Sequence, residues 1–276
     1  MLRVAAGEGD SQSRVSQAVA HHVATTGLRV RSQIALHAAD CLGVNTQSAL
    51  AMATCCELLH TASLILDDLQ DRDQLRRGTQ AVWSMFGDEV VLCAGDLLLS
   101  SAYAALADVT NIAAMQHLVA QTHAAVAQTI RGQAFPALPS HSDFDRLAAY
   151  QAMAAAKFGP LLRLPFGLVF SYSNRPDLVA TSAFAVGAFA VAYQIADDLA
   201  DIEADARTPL GTAAHIVIVL EALGGTDRTT AQAQAVLMAH TRPAEALAIA
   251  AALPQGTAAI LPDLAARITL KLDGHR

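Results

Sequence analysis

Lysine is almost missing from this sequence: Lys157 and Lys271 are the only two, against sixteen arginines. With 25 acidic residues the formal net charge is −7, so no general electrostatic pull draws the chain to nucleic acid. A phosphate-bearing small molecule stays open, provided that metal ions or a local arginine cluster offset the acids. Aromatic residues are also few, at 5%. Four cysteines in 276 residues exclude a disulfide-built secreted module. Cys41, Cys55, Cys56 and Cys93 form no C-x-x-C and no metal-ligand spacing to histidine, and read as reduced, mostly buried small hydrophobes. Residues 1–13 are polar, with no basic region leading into an apolar run. The expectation is a flexible N-terminus on a cytoplasmic protein without a signal peptide. Nineteen uncharged residues separate Asp177 from Asp197, nominally long enough to span a membrane. Ser, Thr, Tyr and Gln interrupt them and three aspartates follow, so the stretch reads as a buried central helix and no membrane span is expected.

The chain is rich in small and apolar residues: 53% are hydrophobic and alanine takes about a fifth of all positions. Such a chain has ample surface to bury, which excludes intrinsic disorder, and alanine and leucine with few aromatics favour helix over sheet. Helical periodicity runs throughout, and no stretch alternates apolar with polar residues in the manner of a strand. Breaks at Thr25 to Gly27, Gly43 to Thr46, Arg77 to Gln80, Gly132 to Ser142, Ser171 to Asp177, Ala206 to Gly211, Gly224 to Thr230 and Pro254 to Gly256 mark off about ten helices. Composition does not shift along the chain, so the reading is all-α, with one helical domain over residues 14–276.

One short echo stands out. Asp67-Asp68-Leu69-Gln70-Asp71 and Asp197-Asp198-Leu199-Ala200-Asp201 are both D-D-L-x-D, 130 residues apart, each ending an apolar helical run. On a helix the first and fifth positions share a face, so Asp67 pairs with Asp71 and Asp197 with Asp201. Like charges so placed cost about 0.2–0.5 kcal/mol per pair on an isolated helix. A single such cluster reads as a solvated helix end. Two copies in a weakly charged chain point to a cation site instead. Oxygen ligands without His or Cys select Mg²⁺, which keeps several waters and shares its other positions with substrate phosphates. Two such patches facing each other would hold a diphosphate through the metal, and then the acidic net charge is no obstacle.

Arginines supply the complementary groups. Arg76 and Arg77 follow the first cluster, and Arg29 and Arg31 lie upstream of it. Arginine is suited to forked phosphate contacts. Lys157 sits in an apolar setting where a lone ammonium needs a partner. His60 precedes Asp67 by two turns on the same face; taken alone, it reads as a satisfied core histidine.

Together these residues resemble the trans-polyprenyl diphosphate synthases, the family of farnesyl and geranylgeranyl diphosphate synthases. The resemblance runs from about Thr26 to Asp205. It is carried by His60 through Asp71, Leu75-Arg76-Arg77-Gly78, Ala94-Gly95-Asp96, Gly132-Gln133, Lys157 and Tyr193 through Asp201. It implies an isoprenoid synthase-type helical bundle around a deep central cavity, usually a homodimer, with allylic and isopentenyl diphosphates as substrates. By the same resemblance Asp67, Asp71 and Asp197 ligate Mg²⁺, three ions with substrate bound, and Asp68 and Asp201 support them. Arg76, Lys157 and Gln194 would then hold the allylic diphosphate, and Arg31, His60 and Arg77 the isopentenyl diphosphate. Chain length in the family depends on the residues four and five before the first aspartate, here Ser63 and Ala62. Both are small, so a C20 or longer product is expected, with Leu59, Cys56 and Met52 further down the helix as candidates for the cavity floor.

The chain also departs from the family pattern. Leu28 stands where a lysine is usual, Phe158 replaces a threonine after Lys157, and Glu203 to Gly211 carries no lysine. These losses fall on co-substrate binding and closure, and leave three readings open. The first is ordinary chain elongation. The second is a terpene cyclase or irregular prenyl coupling enzyme; such an enzyme would more often lack His60 and the Arg76-Arg77 pair. The third is a low-activity partner subunit of a hetero-oligomeric synthase, which would be expected to have damaged metal ligands.

Overall fold

A computed structural model describes residues 13–25, 27, 29–133, 143–200 and 215–273. Among them are eleven α-helices, three single 3₁₀ turns and one two-stranded hairpin. The all-α expectation holds, and the hairpin is an addition to it. The chain forms two compact units. One takes the residues up to Thr122 with Leu168–Asn174, and the other takes His123–Gly167 with Arg175 onward.

The first unit contains α1 (Arg14–Ala24), α2 (Val30–Cys41) and α3 (Thr46–Asp71), the strands β1 (Leu75–Arg76) and β2 (Thr79–Gln80), then α4 (Val82–Phe86) and α5 (Asp88–Ala105). Helix α3 is its axis, about 39 Å long at 1.5 Å per residue, and it packs against α2 and α5. Asn45 starts it by accepting a 3.0 Å hydrogen bond from the Ser48 N–H, and Arg72, in the left-handed region, ends it. Met52, Cys55, Cys56, Leu58, Leu59, Ala62 and Ile65 are buried along it. A Cβ on Gly95 would stand 3.1 Å from the Leu66 methyls, so the glycine lets α5 lie close beside the end of α3. Residues 168–174 are fastened by Tyr172, whose hydroxyl accepts a 2.7 Å hydrogen bond from Asn45 Nδ2.

Helix α6 (Met115–Gln133) leads into the second unit, which also holds most of α7 (Asp143–Tyr172). Helices α8 (Asp177–Ala200), α9 (Ile216–Gly224), α10 (Arg228–Ala250) and α11 (Leu261–Asp273) complete it. Helix α8 packs on α10, α11 and α9, burying Ala185, Val186, Phe189, Ala190, Ala192 and Ile195. This is the uncharged stretch read as a buried helix. Four helices, at Thr46–Asp71, Asp88–Asp108, Arg146–Tyr172 and Asp177–Leu199, are long and apolar enough to cross a membrane by length and composition. In three of them, half or more of the apolar window is buried within the fold. All four cysteines are free, as expected, but only Cys55 and Cys56 are buried, and Cys93 is exposed.

Candidate functional site

At the end of α3 the three aspartates separate according to helix geometry. Asp67 is half-buried and Asp71 exposed, whereas Asp68 is turned inward and wholly buried. Asp68 receives Arg76, whose Nε donates to Oδ1 at 2.7 Å while Nη2 donates to the same oxygen. The Asp68 Oδ2 has no hydrogen-bond partner among the described residues. Burial pushes the Asp68 carboxyl up, against the pull of the Arg76 guanidinium. The same guanidinium lies 4.0 Å from Asp67 Oδ2 and 3.8 Å from Asp73 Oδ2. The structure thus places Arg76, expected on the allylic diphosphate, on the aspartates themselves.

The hairpin explains how Arg76 reaches them. Leu75 pairs with Gln80 and Arg76 with Thr79. The two residues between the strands, Arg77 and Gly78, both have positive φ, 54° and 75°. That backbone matches the twist of a two-residue hairpin and is unusual for arginine. The turn sends Arg76 and Arg77 in different directions. Arg77 is exposed and its guanidinium lies over Gly27, where a Cβ would stand 2.4 Å from Nη1.

Around Arg77 the structure gathers the residues expected to hold the second diphosphate. His60 is half-buried, with Nδ1 enclosed and unpartnered among the described residues, so it is not the satisfied core histidine that the residue alone suggested. Burial, then Arg31, Arg77, His22 and Arg76, hold its imidazole well below its ordinary range. His22 was not anticipated, although it stands beside His21 just before the Gly27 turn. It is buried and held down to about 4 by burial, then by Arg77, Arg76 and His21. Ala62 and Leu59 are buried in the first unit; Ser63 is half-buried and its hydroxyl donates back to the His60 carbonyl at 2.8 Å.

In the second unit the end of α8 repeats the same division. Asp197 is half-buried, while Asp198 is buried and is held from three elements. Its carboxylate accepts from the Tyr150 hydroxyl at 2.8 Å, from the Ile216 N–H at 2.9 Å and from Gln194 Nε2. His215 Nδ1 accepts from the Val217 N–H at 3.1 Å, which puts the ring proton on Nε2. That nitrogen donates to the Asp198 carbonyl at 2.6 Å. Burial raises the Asp198 carboxyl despite these donors. Tyr150 and His215 carried no sequence signal, since only the fold brings them to α8. Asp201, Leu28 and the Glu203 to Gly211 segment lie outside the described residues, as do residues 1–12.

Lys157 lies on α7 with its Nζ 5.6 Å from the centre of the Phe158 ring, and that ring is 6.1 Å from Tyr193. Gly132 sets the backbone there: a Cβ on it would come within 2.5 Å of the Ala156 carbonyl oxygen and 2.9 Å of the Lys157 nitrogen. Among the described residues no three His, Cys, Asp or Glu side chains group together to hold a metal unaided. The half-buried Asp67 and the exposed Asp71, one turn apart, do suit a hard cation that takes its remaining oxygens from water and substrate.

Residues 12–214 match the Polyprenyl synthetase family. The chain is 34% identical over 181 residues to a (2E,6E)-farnesyl diphosphate synthase of Mycobacterium tuberculosis, covering 64% of this chain and 49% of that one. It is 31% identical over 202 residues to a geranylfarnesyl diphosphate synthase of Aeropyrum pernix, covering 70% and 63%. The chain therefore spans between about half and two thirds of the length of these curated relatives. In fold it is similar to a geranylgeranyl pyrophosphate synthetase from Geoglobus acetivorans, with a TM-score of 0.78 at 21% identity, covering 97% of this chain and 95% of that one. It is also similar to a heptaprenyl diphosphate synthase from Staphylococcus aureus, with a TM-score of 0.75 at 19% identity, covering 98% and 94%. The match over most of its length, with the paired aspartate motifs at the ends of α3 and α8, shows that the chain belongs to the polyprenyl synthetase family.

Proposed function

We propose that the protein is a Mg²⁺-dependent prenyltransferase that joins an allylic diphosphate to isopentenyl diphosphate, giving a prenyl diphosphate of C20 or longer. The observation that carries this reading is the shared division of labour in the two motifs. In each, the second aspartate is tethered inward, and in each the first aspartate is half-exposed. Asp67 and Asp71, and separately Asp197, are the residues that would hold Mg²⁺, with Asp201 in support. When bound, Mg²⁺ neutralises the charge that develops on the departing diphosphate. Lys157 binds the allylic diphosphate, while Arg76 and Gln194, also expected there, hold Asp68 and Asp198, and Arg31, His60 and Arg77 bind the isopentenyl diphosphate. The allylic carbon–oxygen bond breaks, the isopentenyl double bond attacks that carbon, and a proton leaves to the released diphosphate. No side-chain nucleophile takes part. The small Ala62 and Ser63 support the longer product. A cytoplasmic homodimer without a membrane span completes the reading.

A second reading has one observation in its favour. Phe158 and Tyr193 put two aromatic rings beside Lys157 and Gln194, and ring faces stabilise cations. This is what a cyclase would use on an allylic cation.

One assay separates the two. The protein is incubated with Mg²⁺, isopentenyl diphosphate and, in turn, the C5, C10 and C15 allylic diphosphates, and the products are identified after dephosphorylation. Prenyl alcohols longer by five-carbon steps are expected. Hydrocarbons formed without isopentenyl diphosphate would establish the cyclase, and no turnover with any primer would overturn both readings.

A further inference from the structure

Helix α1 ends in a way that fixes two histidines against the hairpin. The Thr25 hydroxyl and N–H both donate to the His22 carbonyl, at 2.6 and 3.1 Å, and the chain then passes through Gly27 beneath Arg77. His21 Nε2 lies 2.8 Å from the Gln80 carbonyl, which ties α1 to the second strand of the hairpin. Next to it His22 is only 6% exposed.

The charged surroundings of His22 are one-sided. From its own helix it faces His21, from the hairpin Arg76 and Arg77, and from α3 His60, which also faces Arg31. Helix α4, Val82-Trp83-Ser84-Met85-Phe86, carries no titratable group. On α5, Asp88 is paired with Arg72 at 2.9 Å, and Glu89 and Asp96 are exposed. Asp67, Asp68 and Asp73 surround Arg76, and Glu57 accepts from the Ser32 N–H at the start of α2. Among the described residues no carboxylate is paired with Arg77. Two imidazoles thus stand among guanidiniums, kept neutral by burial and by those like charges. A bound anion of multiple charge reverses that local field and makes a protonated imidazole the favoured form, able to donate a charge-assisted hydrogen bond.

We propose that His22 is a further residue of the co-substrate diphosphate site, and that it takes up a proton as the diphosphate binds. The identity of the ligand as isopentenyl diphosphate rests on the elongation reading above. The anion site itself does not.

Isothermal titration calorimetry of the intact protein tests this, with inorganic pyrophosphate as the probe and without Mg²⁺, so that metal-mediated binding and turnover play no part. Titration at pH 6 to 8 in buffers of different ionisation enthalpy counts the protons. The wild type is expected to take up about one more proton on binding at pH 6 than His22→Gln does. His22→Gln is expected to lose about one proton of uptake and roughly tenfold in affinity at pH 6, with little loss at pH 8. The exposed control His117→Gln should match the wild type. Because pyrophosphate itself titrates in this pH range, the uptake by His22 is read as the difference between wild type and variant; no pyrophosphate binding at all would overturn the proposal with no variant needed. So would a His22→Gln protein that keeps the uptake, or one weakened equally at both pH values, which marks a merely structural role. If pyrophosphate binds with proton uptake but no primer is elongated, the elongation reading fails and the anion site stands.

Discussion

Asp68 and Asp198 are the second aspartates of their motifs, and both are buried parts of the scaffold. A buried carboxylate robbed of its partner is costly, about 3–5 kcal/mol. Arg76→Ala should therefore lower the unfolding free energy by about that much in urea titrations. Arg77→Ala, one residue on but exposed, should change it by less than about 0.5 kcal/mol and instead weaken isopentenyl diphosphate binding. Equal losses in the two variants would show that Asp68 does not depend on Arg76. The face shared by Asp67 and Asp71 was legible in the sequence because helix spacing alone dictates it. The partners of the tethered aspartates were not legible, because Arg76 arrives through a hairpin, and Tyr150 and His215 come from other helices.

The helices follow from apolar spacing and caps. The breaks read at Thr25, Gly43, Gly132, Ser171 and Gly224 fall where described helices end, and Pro254 to Gly256 forms a 3₁₀ turn between α10 and α11; the break at Arg77 to Gln80 lies in the hairpin beyond α3, the joints on either side of α5 carry no break in that reading, and Ala206 to Gly211 lies outside the described residues. The hairpin escaped that reading because each strand is two residues long and shows no alternation. Its geometry depends on Arg77 taking a left-handed backbone conformation, which arginine rarely signals. Helix α7 is placed against α6 by Gly132, whose missing side chain makes room for backbone rather than for a movable side chain. Gly132→Ala should destabilise the protein by about 1–3 kcal/mol and lower turnover more than that loss explains, since Lys157 moves with its backbone. Wild-type turnover in a stably folded variant would count against the placement of Lys157. On α3, Ala62→Phe should shorten the product profile by one or more five-carbon units, read by chromatography of the dephosphorylated products. An unchanged profile would sink the chain-length assignment.

Across the whole molecule, acid should destabilise the ligand-free protein. His22 falls from its ordinary 6.5 to about 4, so between those values the unfolded chain binds a proton that the folded protein excludes. Stability fully present above pH 6.5 is lost as pH falls through that window, by up to roughly 3 kcal/mol for this group, and His60 acts with the same sign. The raised carboxyls of Asp68 and Asp198 act oppositely, gaining stability as pH falls toward 3.8. Urea unfolding at pH 5 and 7 should show a smaller difference in His22→Gln than in the wild type; identical differences would refute this role for His22. The all-helical architecture was legible because composition and periodicity agree over nearly the whole chain. The arrangement of charge was not, because the group around Arg77 draws His22 from α1, Arg31 from α2 and His60 from α3, which only the fold brings to the hairpin. The proposed chemistry is chain elongation with Asp67 as a metal-holding residue. The most direct test is incorporation of labelled isopentenyl diphosphate onto an allylic primer in the presence of Mg²⁺, for the wild type and Asp67→Ala. The wild type should build labelled, longer prenyl diphosphates and Asp67→Ala essentially none; equal incorporation by both, or none by the wild type, would contradict the account.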